Sequence, residues 1–186
     1  RDIRLLNRLM GNFRAMRRLL DGSVHSSDRI LEIGAGEGAL ARFLEPHRVD
    51  ALDRCPPPPD WPVGRAWHRT CLLGFEGFGH YTVLIGNLIL HHFRDAPLME
   101  WAGRLPASIR LMVFNEPRRS VWHLRQLSFA PLLGLNRVTR HDARVSICSG
   151  FRGRELVELL GGQRADWSVR IEENWLGRHT VRMERR

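Results

Sequence analysis

"RILEIGAGEGAL", residues 29–40, opens as an apolar run carrying a single acid, Glu32, and ends in glycines at every second position, Gly34, Gly36 and Gly38. A buried strand that gives way to alternating glycines leaves a turn whose backbone can come close to a polar ligand, because glycine has no Cβ and tolerates positive φ. Gly34, Gly36 and Ala39 satisfy the relaxed dinucleotide fingerprint G-x-G-x-x-G/A. Asp53 stands about 20 residues on, where a ribose-binding acid is expected. The same letters also read as an acid inside the strand followed by three alternating glycines.

Outward from this turn, short strand-like runs alternate with helical ones. "VDALDR" (49–54), "RAWHRT" (65–70), "YTVLIGN" (81–87), a helical stretch to Leu105 and "IRLMVFNEP" (109–117) follow in order. Strands separated by helices of ten to fifteen residues imply a parallel sheet covered on both faces. After a helix in "GRELVELLG" (153–161), the runs "WSVRIEENW" and "RHTVRMER" are separated by Leu176 and Gly177. A tight hairpin there makes the last strand antiparallel. The expected architecture is α/β, doubly wound, with a mostly parallel seven-stranded sheet. "CPPPPDWP" (55–62) lacks the donors that helix and ladder need, and reads as a stiff surface connection.

Before the sheet, Ile3, Leu5, Leu6, Leu9, Met10, Phe13, Met16, Leu19 and Leu20 recur at helical spacing, with arginines between them. Gly11 and Asn12 are expected to break this basic amphipathic segment, since glycine costs about 1 kcal/mol in a helix interior. Three roles are open to residues 1–24: a helical cap packed on the core, a lid over the ligand, or a peripheral membrane or partner contact. Residues 1–186 form one domain, of which 118–150 is an insert on the acceptor side.

The formal charge of +9 and pI near 11.2 raise nucleic acid as a partner. Every one of the 29 basic residues is Arg, however, and they are spread along the chain rather than blocked. That pattern fits codon bias and solubility better than a phosphate-binding face, and argues against nucleic acid. Cys55, Cys71 and Cys148 are odd in number and form no CxxC pair, so neither a disulfide framework nor a zinc site is indicated, and a cytoplasmic location fits. No apolar run approaches the ~20 residues of a spanning helix.

The acid and the three glycines, together with "YTVLIGNLILHHFRD" (81–95), resemble the class I S-adenosylmethionine-dependent methyltransferases over nearly the whole chain. The resemblance implies S-adenosylmethionine as cofactor and no metal. In it, Gly34, Gly36 and Gly38 admit the amino-acid end of the cofactor, with Glu32 directed toward its ammonium. Asp53 takes the ribose hydroxyls, and Asn87 lies beside the methionyl part. The third strand departs from the family: Thr70 and Cys71 stand where an acid usually meets the adenine, leaving Cys71 as an apolar contact.

His91 falls where plant-type small-molecule O-methyltransferases carry their base, in a motif written Leu-His-Asp-Trp-Ser-Asp; here His92 and Phe93 replace the Asp and Trp. Leu-His-His also occurs in quinone and lipid C-methyltransferases. His141, beside Asp142 in "RHDARVSICSGF" (141 being its second residue), is the reserve base. Glu116 at the fifth strand's end is expected beside the acceptor. Phe13, Met16, Trp122, Phe129 and Leu132 are expected to line an apolar pocket for a phenolic or polyketide-like small molecule of secondary metabolism, with O-methylation favoured over C-methylation. An RNA methyltransferase using the Arg surface is the enzyme alternative. A non-catalytic cofactor-binding accessory protein is the other.

Overall fold

The computed structural model describes residues 10–126, 137–162 and 165–186. Its seven strands are β1 (Ile30–Ile33), β2 (Val49–Asp53), β3 (Trp67–Arg69), β4 (Val83–Asn87), β5 (Leu111–Pro117), β6 (Trp167–Glu173) and β7 (Arg178–Arg185). They form one sheet in the order β3-β2-β1-β4-β5-β7-β6. Only β7 runs against its neighbours, pairing antiparallel with both β5 and β6, as the terminal hairpin demands. β1 and β5 are buried at every position, which is why they read as mostly apolar runs, interrupted by Glu32 in the first and by Asn115 and Glu116 in the second, whereas the edge strand β6 alternates.

The helices are α1 (Asn12–Leu20), α2 (Ala39–Phe43), α3 (Asp95–Gly103), α4 (Val121–Gln126), α5 (Arg137–Ser149) and α6 (Glu155–Leu159). One face of the sheet packs Val83, Ile85, Leu111 and Val113 against α1 and α2. The other packs Leu84, Met112, Phe114, Val181 and Met183 against α3 and α6. Strand order reverses between β1 and β4, so a crevice opens beyond their carboxyl ends, between Gly34 and Asn87.

Gly11, at φ 65, stands immediately before the first turn of α1. Met16, Leu19 and Leu20 are buried against the sheet. Each such side chain is worth about 1.5–3 kcal/mol. Two of the basic residues of α1 are also engaged within the chain: Arg18 pairs with Glu172, and the Arg17 guanidinium lies 4.2 Å over the Phe43 ring. Over residues 12–20 this corrects the expectation of a membrane or partner contact, because the apolar face already covers the sheet. Residues 1–9, and the pocket candidates Phe129 and Leu132, lie outside the described residues. The "RHDARVSICSGF" segment, read from sequence as part of the insert, is mostly the helix α5.

Candidate active site

The three glycines after β1 all have positive φ, at 67, 56 and 68 degrees for Gly34, Gly36 and Gly38. Their surroundings differ. A Cβ on Gly34 would come within 2.4 Å of Ile89, and one on Gly38 within 2.4 Å of the Trp61 ring, whereas one on Gly36 would meet nothing within 4 Å. Gly34 and Gly38 therefore make room for the protein itself. Gly36 is the position where the backbone is bare toward open space.

Asp53 fastens this turn to the end of β2. Its Oδ2 accepts the Gly36 N–H at 2.8 Å and its Oδ1 accepts the Cys55 N–H at 2.8 Å. It caps no helix. Thr70, just past β3, donates its N–H to the Asp53 carbonyl at 3.0 Å, which sets the exposed Cys71 next along the same rim. Glu32 is buried beneath the turn, and its Oε2 accepts the Ala41 N–H in the first turn of α2 at 2.9 Å. Burial pushes its carboxyl up to about 8, the Ala41 N–H opposing and the charge of Asp53 adding to the rise. One Glu32 oxygen thus serves the helix start rather than facing open space. With its five residues, α2 offers little of the dipole expected of it.

Across the crevice, β4 ends at Asn87, whose Oδ1 accepts from Asn115 Nδ2 at 2.7 Å; Asn115 Oδ1 in turn accepts the Thr180 hydroxyl at 3.0 Å. The next residue, Leu88, has φ 59, a conformation that costs a non-glycine residue about 1–3 kcal/mol and persists only where its surroundings enforce it. That enforcement comes from Glu116. Its Oε1 accepts the N–H groups of Ile89 at 3.1 Å and Leu90 at 2.8 Å, and its Oε2 accepts that of His91 at 3.3 Å. The His91 Nδ1–H donates to the same Oε2 at 2.7 Å. Glu116 is fully buried, and the His91 side chain is 3% exposed.

This corrects the expectation that Glu116 touches an acceptor: four donors of the 89–91 turn already occupy its two oxygens. It also corrects the reading of His91 as a residue at an open mouth. Because Nδ1 carries the proton, Nε2 holds the lone pair. That nitrogen is buried and has no hydrogen-bond partner among the described residues. The ring of neighbouring His92 lies tilted against that of His91, centroids 4.1 Å apart, and burial together with His91 holds its imidazole below the usual range.

The expected acceptor wall does not form one surface. Phe13 packs on Phe43 at 5.6 Å and Met16 lies in the core, both on the α1 side of the sheet. Trp122 is 60% exposed on α4, beside a cleft of about 550 Å³ between α4, α5 and the segment after β5. His141 is exposed on α5, whose less exposed positions are Arg140, Ala143, Ser146 and Ile147, so helical periodicity turns it outward. The role missed in the sequence is that of Glu116 as the anchor of the turn. Its signal was an acid at the end of an otherwise apolar strand.

No family model matches the chain, and no curated protein matches it in sequence. Solved structures do match. The plantazolicin methyltransferase BpumL in complex with SAH is similar at 12% identity and TM-score 0.71, over 97% of this chain and 85% of that one. Magnesium protoporphyrin IX methyltransferase (ChlM) from Synechocystis, with bound SAM, is similar at 12% identity and TM-score 0.61, over 100% and 82%. Human N-acetylserotonin methyltransferase matches at 12% identity and TM-score 0.61 over 94% of this chain, which spans 51% of that protein. The chain has the fold of the class I S-adenosylmethionine-dependent methyltransferases.

Proposed function

We propose that this protein transfers a methyl group from S-adenosylmethionine to a hydroxyl of a small acceptor, phenolic or polyketide-like, with His91 as the base. When bound, S-adenosylmethionine supplies a sulfonium methyl open to in-line displacement. The chain's own residues fit that cofactor: the bare backbone at Gly36 receives its amino-acid end, and Asp53 has further lone pairs for ribose hydroxyls. Asn87 and Cys71 complete the rim on either side. Matched structures holding SAM or SAH support the same reading.

The observation that carries the oxygen acceptor is the Nε2 of His91, which has no hydrogen-bond partner among the described residues. A buried lone pair without a donor is costly unless something supplies one, and an acceptor hydroxyl is that donor. Glu116 sets the tautomer, keeps the ring in place and stabilises the imidazolium formed as the proton moves from oxygen to Nε2. Proton acceptance matters for a phenol, whose pKa lies near 10. The neighbours are named for methyl transfer to plantazolicin, N-acetylserotonin and magnesium protoporphyrin IX, which favours a small acceptor over RNA.

His91→Ala is expected to lower kcat on a phenolic acceptor by roughly 100-fold or more, the scale of a positioned base, with S-adenosylhomocysteine affinity nearly unchanged. High pH should restore part of the rate, because the phenolate then forms unaided. Full activity in the variant near neutral pH removes His91 from the mechanism, and a product methylated on carbon removes the hydroxyl acceptor.

A further inference from the structure

The cleft beside Trp122 lies at the same end of the sheet as the His91–Glu116 pair. Arg118 follows Glu116 by two residues along extended chain, which bridges to Phe151 there. Helix α5, which supplies Ile147 and Cys148 to the cleft, also packs on the Leu90–His92 turn. At about 550 Å³ the cleft has the size of a small-molecule site.

Its walls combine two chemistries. Val121, Trp122, Leu124 and Ile147 supply apolar surface. Arg118, Arg119 and Arg152 face a single carboxylate, Glu155. Arg118 is neutralised by Glu173 at 2.8 Å, and Arg119 pairs with Glu155. Arg152 is exposed and its guanidinium has no ion-pair partner among the described residues. Elsewhere some arginines are matched to acids, as Arg42 is to Asp60, Arg110 to Asp28 and Arg185 to Asp166, and others, such as Arg54 and Arg94, have no ion-pair partner among the described residues; Arg152 differs from these in lining an apolar cleft. A surplus cation at the lip of an apolar cleft favours a ligand with a flat apolar body and one anionic group.

We infer that this cleft binds a carboxylated aromatic molecule, its ring against Trp122 and Ile147 and its carboxylate on Arg152. Guanidinium and carboxylate match as planar, bidentate partners. The inference rests on the methyl-transfer reading only in making that molecule the acceptor.

Calorimetry on the full chain, saturated with S-adenosylhomocysteine, tests it with 2-naphthoate and its neutral counterpart 2-naphthamide. Naphthoate should bind roughly 10-fold more tightly, the scale of one charge-assisted pair, and its affinity should fall as salt is raised. Arg152→Gln should bring the two ligands to within about 2-fold of each other by weakening naphthoate alone, and Trp122→Ala should weaken both. Equal affinities in the unaltered protein, a preference that survives Arg152→Gln, or displacement of naphthoate by S-adenosylhomocysteine would each overturn the assignment. If S-adenosylhomocysteine itself does not bind, the methyl-transfer reading fails, and the naphthoate preference is then measured without it.

Discussion

Replacing Glu116 by glutamine exchanges one carboxylate oxygen for an NH2 group and tests the arrangement of the whole turn. In the native chain Oε1 holds two backbone donors, from Ile89 and Leu90, and Oε2 holds the His91 N–H and Nδ1–H. The amide's oxygen takes the better-formed backbone pair on Ile89 and Leu90, which leaves its NH2 group facing His91. The imidazole can answer that group only by moving its own proton to Nε2, so that Nδ1 becomes an acceptor. The weak 3.3 Å bond from the His91 N–H is lost, and the new Nε2–H meets no acceptor among the described residues, leaving two buried donors unsatisfied at a cost of about 1–3 kcal/mol each. The fold survives while the lone pair on Nε2 disappears, and kcat should drop by roughly 10² to 10⁴, the contribution of a positioned base. Urea denaturation reads the first effect, and nitrogen-15 NMR of the imidazole reads the tautomer with no acceptor present. A glutamine variant that keeps the Nδ1–H tautomer and native stability would refute the reasoning. Glu116→Ala is a harsher change, stranding four buried donors, and should not fold stably.

The buried Glu32 makes stability depend on pH in an unusual direction for a carboxyl. Folding raises it from an ordinary value of 4.5 to about 8, so the native chain holds a proton that the unfolded chain releases. Stability from this group should fall as pH rises from about 4.5 to about 8, by up to about 1.4 kcal/mol per pH unit. Glu32→Gln should flatten that slope in urea melts taken across the range, and an unchanged slope would assign it to other groups. The glycine turn gives a paired test. Gly36→Ala should cost about 1–2 kcal/mol for its left-handed backbone and weaken S-adenosylhomocysteine more than 10-fold by filling open space. Gly38→Ala should lose more stability, because its Cβ meets Trp61, and calorimetry with thermal melts separates the two; equal losses of affinity and stability at both positions would contradict the difference in their surroundings.

The strands, the glycine turn and the terminal hairpin were legible in the chain itself. Each is written locally, in an apolar run such as Leu111–Phe114, in a glycine or in a short turn, and needs no knowledge of what packs against it. The topology decided the rest, because its contacts join residues far apart in sequence. Only the folded sheet brings Glu116 to His91, 25 residues earlier, and turns a strand-end acid into the anchor of a buried imidazole. Ile89 and Trp61, from other segments, decide that Gly34 and Gly38 make room for protein while Gly36 stays bare. Arg17 and Arg18 of α1 looked like part of a free basic face until Phe43 on α2 and Glu172 on β6 came beside them. His141 faces solvent because α5 presents a different side inward, a rotation that residue types alone leave open and that packing against the Leu90–His92 turn sets.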